Sequence, residues 1–99
     1  MSLEALVETD RIGLPPWVRL HFDQIRDRWV LLAPERVLFP CATSVTIIER
    51  LGERRQLGEV VTMLAEEFEA PRATISADVR CMLQDLADQG FLAVEAGNG

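Results

Sequence analysis

The chain is poor in the residues that build metal centres and disulfide frameworks: among 99 residues there are two cysteines, Cys41 and Cys81, and one histidine, His21. Structural zinc takes about four ligands, as a rule Cys and His at short spacings. Here there is no CxxC pair, and only scattered carboxylates are left to complete a set. No metal site is expected, and the two cysteines read as buried thiols in a reducing compartment. Long apolar runs are missing too. No stretch approaches the roughly 20 residues that cross a bilayer, and residues 1–10 lack the basic start and apolar centre of a signal peptide. The expectation is no membrane contact and a cytoplasmic location. Positive charge is in deficit, with ten basic against sixteen acidic residues, a formal net charge of −6 and a pI near 4.7. Nucleic-acid affinity comes largely from basic side chains displacing counterions, so DNA and RNA are poor partners. No glycine-rich cradle accompanies Arg54-Arg55, which reads as an exposed loop and not a phosphate site. His21 shares a strand face with Arg19 and Asp23 and has no nucleophile or metal partner at readable spacing, so it is a surface residue. Without a nucleophile or a paired acid and base, the chain is not expected to be an enzyme or to hold a cofactor.

What remains is ordinary globular material, 48% hydrophobic and 26% charged. Folding a chain of this length buries about two thirds of its unfolded surface, enough for one core but little room for a deep cavity. Residues 1–16 end in Gly13-Leu14-Pro15-Pro16, where the prolines stop any helix begun around residues 3–7, and they read as a flexible N-terminal segment. From Trp17 to Asp23 the chain alternates, with Val18, Leu20 and Phe22 on one face. The run from Arg28 to Pro40 alternates again: Trp29, Leu31 and Ala33 lie on one side and Val30 and Leu32 on the other, Pro34-Glu35 turns the chain, and Arg36 to Phe39 forms a third strand. Connections this short admit only an antiparallel meander.

After Pro40 the period changes from two to about 3.6. Val45, Ile48 and Leu51, with Cys41 one turn earlier, line one face of a helix, with Gly52 at its C-terminal cap. Leu57, Val60, Val61, Leu64, Ala65 and Phe68 form the stripe of a second, with Glu59, Glu66, Glu67 and Glu69 turned to solvent. Pro71 opens a third, whose inner face is Ile75, Val79, Met82, Leu83 and Leu86 and whose stop is Gly90. Phe91 to Val94 packs back as an extended tail, and residues 95–99 read as a disordered end. The fold class is therefore α+β: a small winged-helix-like domain over residues 17–94, a three-stranded antiparallel sheet followed by a three-helix bundle. That outline alone suggests a winged-helix transcription regulator. A groove-reading helix would be basic, however, and from Ile75 to Gln89 this one has Arg80 alone against Asp78, Asp85 and Asp88.

With Arg28-Trp29-Val30-Leu31-Leu32-Ala33-Pro34-Glu35-Arg36-Val37 on a hairpin and Leu83-Gln84-Asp85-Leu86-Ala87-Asp88 on the last helix, the chain resembles the PqqD family of pyrroloquinoline quinone (PQQ) biosynthesis. The likeness spans about residues 17–94 and includes Arg19 and Phe22-Asp23. Where the family's first strand opens with Arg-Gly, this chain has Pro16-Trp17. The resemblance implies a peptide chaperone, a recognition element for ribosomally made, post-translationally modified peptides (RiPPs). Such a chaperone binds the precursor peptide (PqqA) and presents it to the radical S-adenosylmethionine enzyme (PqqE) that crosslinks a Glu and a Tyr. It also implies that the peptide adds as a strand beside the third strand and leans on the third helix.

The expected peptide site follows from these placements. The main chain of Arg36, Val37, Leu38 and Phe39 would supply the ladder, since no later strand except the tail could pair with that edge. Val79, Leu83 and Leu86 face inward beneath it, and Arg80, Gln84 and Ala87, spaced i, i+4, i+7, rim the groove. Arg36 and Arg80 would meet acidic residues of the peptide. An open edge behind Leu14-Pro15-Pro16 also suits a homodimer formed by strand exchange. Trp29 is expected in the core, and Trp17 either in a partner contact or packed as a lid.

Overall fold

In the computed structural model, which describes residues 6–96, nine elements follow one another. They are β1 (Arg11–Gly13), β2 (Arg19–Asp23), β3 (Arg28–Ala33), β4 (Arg36–Leu38), α1 (Ala42–Leu51), β5 (Arg55–Gln56), α2 (Leu57–Glu67), α3 (Arg72–Asp88) and β6 (Ala93–Glu95). The expected meander is present as an antiparallel sheet in the order β2-β3-β4. Its register pairs Phe22 with Trp29, Leu20 with Leu31, and Leu31 with Leu38, so these five side chains share one face. Leu31, at the centre of that face, is fully buried in the core. Trp29 is half-buried and meets Phe22 edge to face, ring centroids 5.3 Å apart. Trp17 is exposed. At the turn between β2 and β3 the carboxylate of Asp23 accepts from the N–H groups of Ile25 and Arg26, at 3.0 and 3.2 Å, an Asx turn that lets Asp27 take φ 58°.

The three helices bury most of the stripes expected of them; Ala65, Ile75 and Met82 are half-buried, and Phe68, just past the end of α2, is a correction, 49% exposed. Ile47, Ile48 and Leu51 of α1 join Leu57, Val60, Val61 and Leu64 of α2 in the core, which α3 closes with Val79, Leu83 and Leu86; Val45 is buried as well. Gly52 leaves α1 at φ 60°, and Gly90 ends the turn after α3 at φ 87°. The end of α2 has no glycine. There Glu69 takes φ 52°, and the Ala70 N–H reaches back to the Ala65 carbonyl at 3.1 Å, closing the helix as a Schellman-type cap.

A second sheet, in the order β5-β1-β6, was not expected, and it corrects the flexible N-terminal segment assigned to residues 1–16. The first five of those residues lie outside the described ones. From Leu6 onward the segment is built in: Leu6 is 4% exposed and Ile12 is 0% exposed. Central strand β1 pairs Arg11 with Glu95, Ile12 with Val94 and Gly13 with Ala93 on one side, and Arg11 with Gln56 on the other. A Cβ on Gly13 would stand 2.3 Å from the Glu53 carbonyl oxygen, so only glycine lets β1 run this close to the loop after α1. The same segment satisfies amides that the start of α2 leaves unpaired: the Leu57 N–H donates to Asp10 O at 2.8 Å and the Gly58 N–H to Glu8 O at 2.9 Å. At the other end Glu95 belongs to β6, which corrects the loose tail there, while residues 97–99 lie outside the described ones.

The cysteines are a further correction. Cys41 and Cys81 are free thiols, both exposed, because Cys41 occupies the N-cap of α1 outside the helix stack and Cys81 sits on the outer side of α3. Of the two arginines expected in a loop, Arg54 is exposed and pairs with Glu95 at 3.5 Å. Arg55 is half-buried and donates to Arg50 O at 2.7 Å.

Candidate functional site: an open strand beside a helix

Strand β4 is the last in its sheet, and among the described residues nothing pairs with its outer side. The tail that might have sealed it is committed to β1 as an edge strand of the other sheet. Alternate residues of a strand direct their N–H and C=O groups to the same side, so an edge left this way presents donors and acceptors that water alone satisfies. The Arg36 guanidinium donates to the Gln89 carbonyl at 2.6 Å, which ties the start of β4 to the end of α3. Between the strand and the helix runs a cleft of about 200 Å³, lined by Leu38, Phe39, Cys41, Met82, Asp85 and Leu86. Its walls are apolar apart from Asp85, which accepts from the Gln89 amide at 3.0 Å, Ser44, and the thiol of Cys41. That thiol lies 3.4 Å from the Ser44 hydroxyl, whose hydrogen bond, with amides at the start of α1, holds it below the usual cysteine range.

The nine residues expected at the site fall into three groups. Arg36, Val37, Leu38 and Phe39 stand at the open strand: Arg36, Val37 and Phe39 are exposed and Leu38 is half-buried. Val79 and Leu83 are 2% and 0% exposed, inside the core, where they fix the helix but touch nothing outside it. Arg80, Gln84 and Ala87 are not brought to β4. Arg80 and Gln84 line a different and larger depression of about 690 Å³ on the opposite flank of α3, together with Leu6, Glu8, Arg72 and Ser76. Ala87 is half-buried against the core. Each helical residue turns about 100°, so the stripe 80, 84, 87 points away from the stripe 82, 85, 86, 89 that meets the strand. The N-terminal segment holds the first flank: Gln84 Oε1 accepts from the Leu6 N–H at 2.9 Å, and the carboxylate of Glu8 takes two hydrogen bonds from Arg72, at 3.0 and 2.8 Å, and one from Ser76 at 3.1 Å. Arg72 above all, with Ser76, holds the Glu8 carboxyl below the usual range against the opposing effect of burial.

Sequence reasoning missed Met82, Asp85 and Cys41 as lining. Met82, Asp85, Leu86 and Gln89 do recur at i, i+3, i+4, i+7, which is the signal that would have found them. Its meaning depended on knowing that the N-terminal segment covers the other flank.

A family model, Coenzyme PQQ synthesis protein D (PqqD), matches residues 28–92. The "PqqA binding protein" of Rhodopseudomonas palustris (strain TIE-1) is 49% identical over 85 residues, 86% of this chain and 83% of that protein. Its namesake from Xanthomonas oryzae pv. oryzae is 45% identical over 77 residues, 78% of this chain and 84% of that protein. Among solved structures, the PqqD truncation of Methylobacterium extorquens PqqCD superposes with a TM-score of 0.76 at 34% identity, covering 90% of this chain and 95% of that one. That truncation is a functional, stand-alone RiPP recognition element. The crystal structure of PqqD from Xanthomonas campestris gives a TM-score of 0.51 at 35% identity, over 78% of this chain and 86% of that one.

Proposed function

Because the chain belongs to the PqqD family, we propose that it is a chaperone that binds the PQQ precursor peptide, PqqA, by adding it as a fourth strand along β4. The observation that carries this reading is the open edge of β4 above an apolar cleft in α3. The main chain of Arg36 to Phe39 gives the peptide its ladder, and alternate peptide side chains enter the cleft between Leu38, Met82 and Leu86. Arg36, with one guanidinium nitrogen held by the Gln89 carbonyl, offers its remaining N–H groups to an acidic residue, and Val79 and Leu83 keep α3 rigid behind the groove. The chain catalyses nothing itself; it presents the ordered peptide to the radical S-adenosylmethionine enzyme, PqqE, in the cytoplasm. Ordering a flexible peptide takes back about 2 to 5 kcal/mol of the gross interaction. A net −8 kcal/mol, roughly micromolar, suits capture followed by release. Exchange of β2 between two copies would make a homodimer, and light scattering across a concentration series reads it.

The test is a titration of isotope-labelled protein with synthetic PqqA. Amide shifts should concentrate in residues 36–39 and along the 82–89 side of α3, with little change around Arg80. Unmoved β4 amides at saturating peptide would overturn the proposal.

A further inference from the structure

The two faces of β4 differ, and only one of them meets α3. Leu38 pairs with Leu31 on the inner face, whereas Val37 lies opposite Leu32 on the outer one. One residue further along the same register, Phe39 falls beside Val30. On this outer face Val37 is 55% exposed, and Phe39, one residue past the end of β4 and also a lining residue of the α3 cleft, is 43% exposed. The guanidinium of Arg28, also outward, lies 4.4 Å from the centroid of the Phe39 ring. Arg19, His21 and Asp23 complete the polar side chains of the face, and the Asp23 carboxylate is already engaged by Arg26 and by the turn amides. Arg19 and Arg28 form no ion pair among the described residues. A chain of net charge −6 therefore has an apolar, locally positive face continuous with its open edge.

A strand added to β4 alternates in step with it, so every peptide residue that enters the α3 cleft is followed by one laid beside Val37 and Phe39. We propose that this outer face is a second recognition surface for the bound peptide, one that takes an apolar or aromatic side chain against Val37 and Phe39 and an acidic one near Arg28. The inference rests on the strand addition proposed above and deepens it. A cleft on one face alone would select a peptide alternating apolar and polar. Two apolar faces select an uninterrupted apolar run of a few residues bordered by Asp or Glu. Continuity with the edge and the sign of the charge favour the peptide as occupant, since a second copy docked face to face would bring Arg28 against Arg28.

Calorimetry of synthetic PqqA binding tests this with the wild-type chain, Val37→Thr and Arg28→Gln, at low and high salt. Val37→Thr keeps the β-branched shape and strand preference while replacing a methyl by a hydroxyl. Each variant should weaken binding by about five- to tenfold, Arg28→Gln should flatten the salt dependence, and both should melt like the wild type. Titrated methyl spectra should show the Val37 resonances moving. Unchanged affinity in both variants with unmoved Val37 methyls overturns the outer-face contact and leaves strand addition standing. Failure of the wild-type chain itself to bind overturns the proposed function instead, and a defect confined to self-association or to enzyme docking also overturns the inference.

Discussion

Glu69 is held where few residues other than glycine sit comfortably. A left-handed backbone costs a residue with a Cβ roughly 1 to 2 kcal/mol, and glycine gives back about half of that gain through its greater freedom when unfolded. Glu69→Gly should accordingly raise stability by about 0.5 to 1 kcal/mol, read as a shifted urea midpoint with an unchanged slope. Gly13 is the opposite case. A methyl there meets a backbone carbonyl that cannot swing aside, so Gly13→Ala should cost about 1 to 3 kcal/mol, and the same melt reads it. Neither position was legible beforehand. The stripe of the second helix was read as running to Phe68, one residue past the last of α2, and nothing in Phe68-Glu69-Ala70 announces a left-handed turn. Gly13 reads equally well as the start of a linker or as a close approach between two backbones.

At the scale of elements, the meander and all three helices could be read from the chain because each repeats its period several times over. Strands β1, β5 and β6, of two or three residues, contain no period to detect and exist only because they find one another. The flanks of α3 were indistinguishable for the same reason: Arg80 and Met82 differ in what covers them, and the cover on one side is the segment from Leu6 to β1. That cover is clasped by Glu8 and Arg72, which makes a pH-dependent prediction. The folded-state pKa of Glu8 is depressed, so its contribution is complete above the ordinary carboxylate range and is lost as the pH falls through the folded value. Glu8→Gln should therefore melt below the wild type at neutral pH, and the two melting curves should converge in acid. A gap that persists at low pH would mean that packing, not the ionised clasp, is what the substitution disturbs.

For the molecule as a whole, the sheet around β1 is what turns a meander and a helix stack into one cooperative unit. Ile12 contacts that unit with its entire side chain buried, so Ile12→Ala should lose about 2 to 5 kcal/mol, a large share of the 5 to 15 that a domain of this kind possesses. Removing everything before Leu14 should go further, leaving Phe91, Leu92 and the start of α2 uncovered and replacing a sharp thermal transition with a broad one. Such a truncation still contains all of residues 28–92, which the family model matches, so the span recognised by sequence is smaller than the span required to fold.

The pairing of Arg11 with Glu95 also fixes how this protein comes apart under load. Because β1 and β6 run antiparallel and the chain enters one where it leaves the other, a motor or an optical trap tugging on both ends opens them like a zipper, one rung at a time. A pair loaded in shear would have to break all its rungs at once. Mechanical resistance should be low, and the first segments surrendered belong to the sheet that does not contain β4, so a partly pulled molecule would still offer its docking strand.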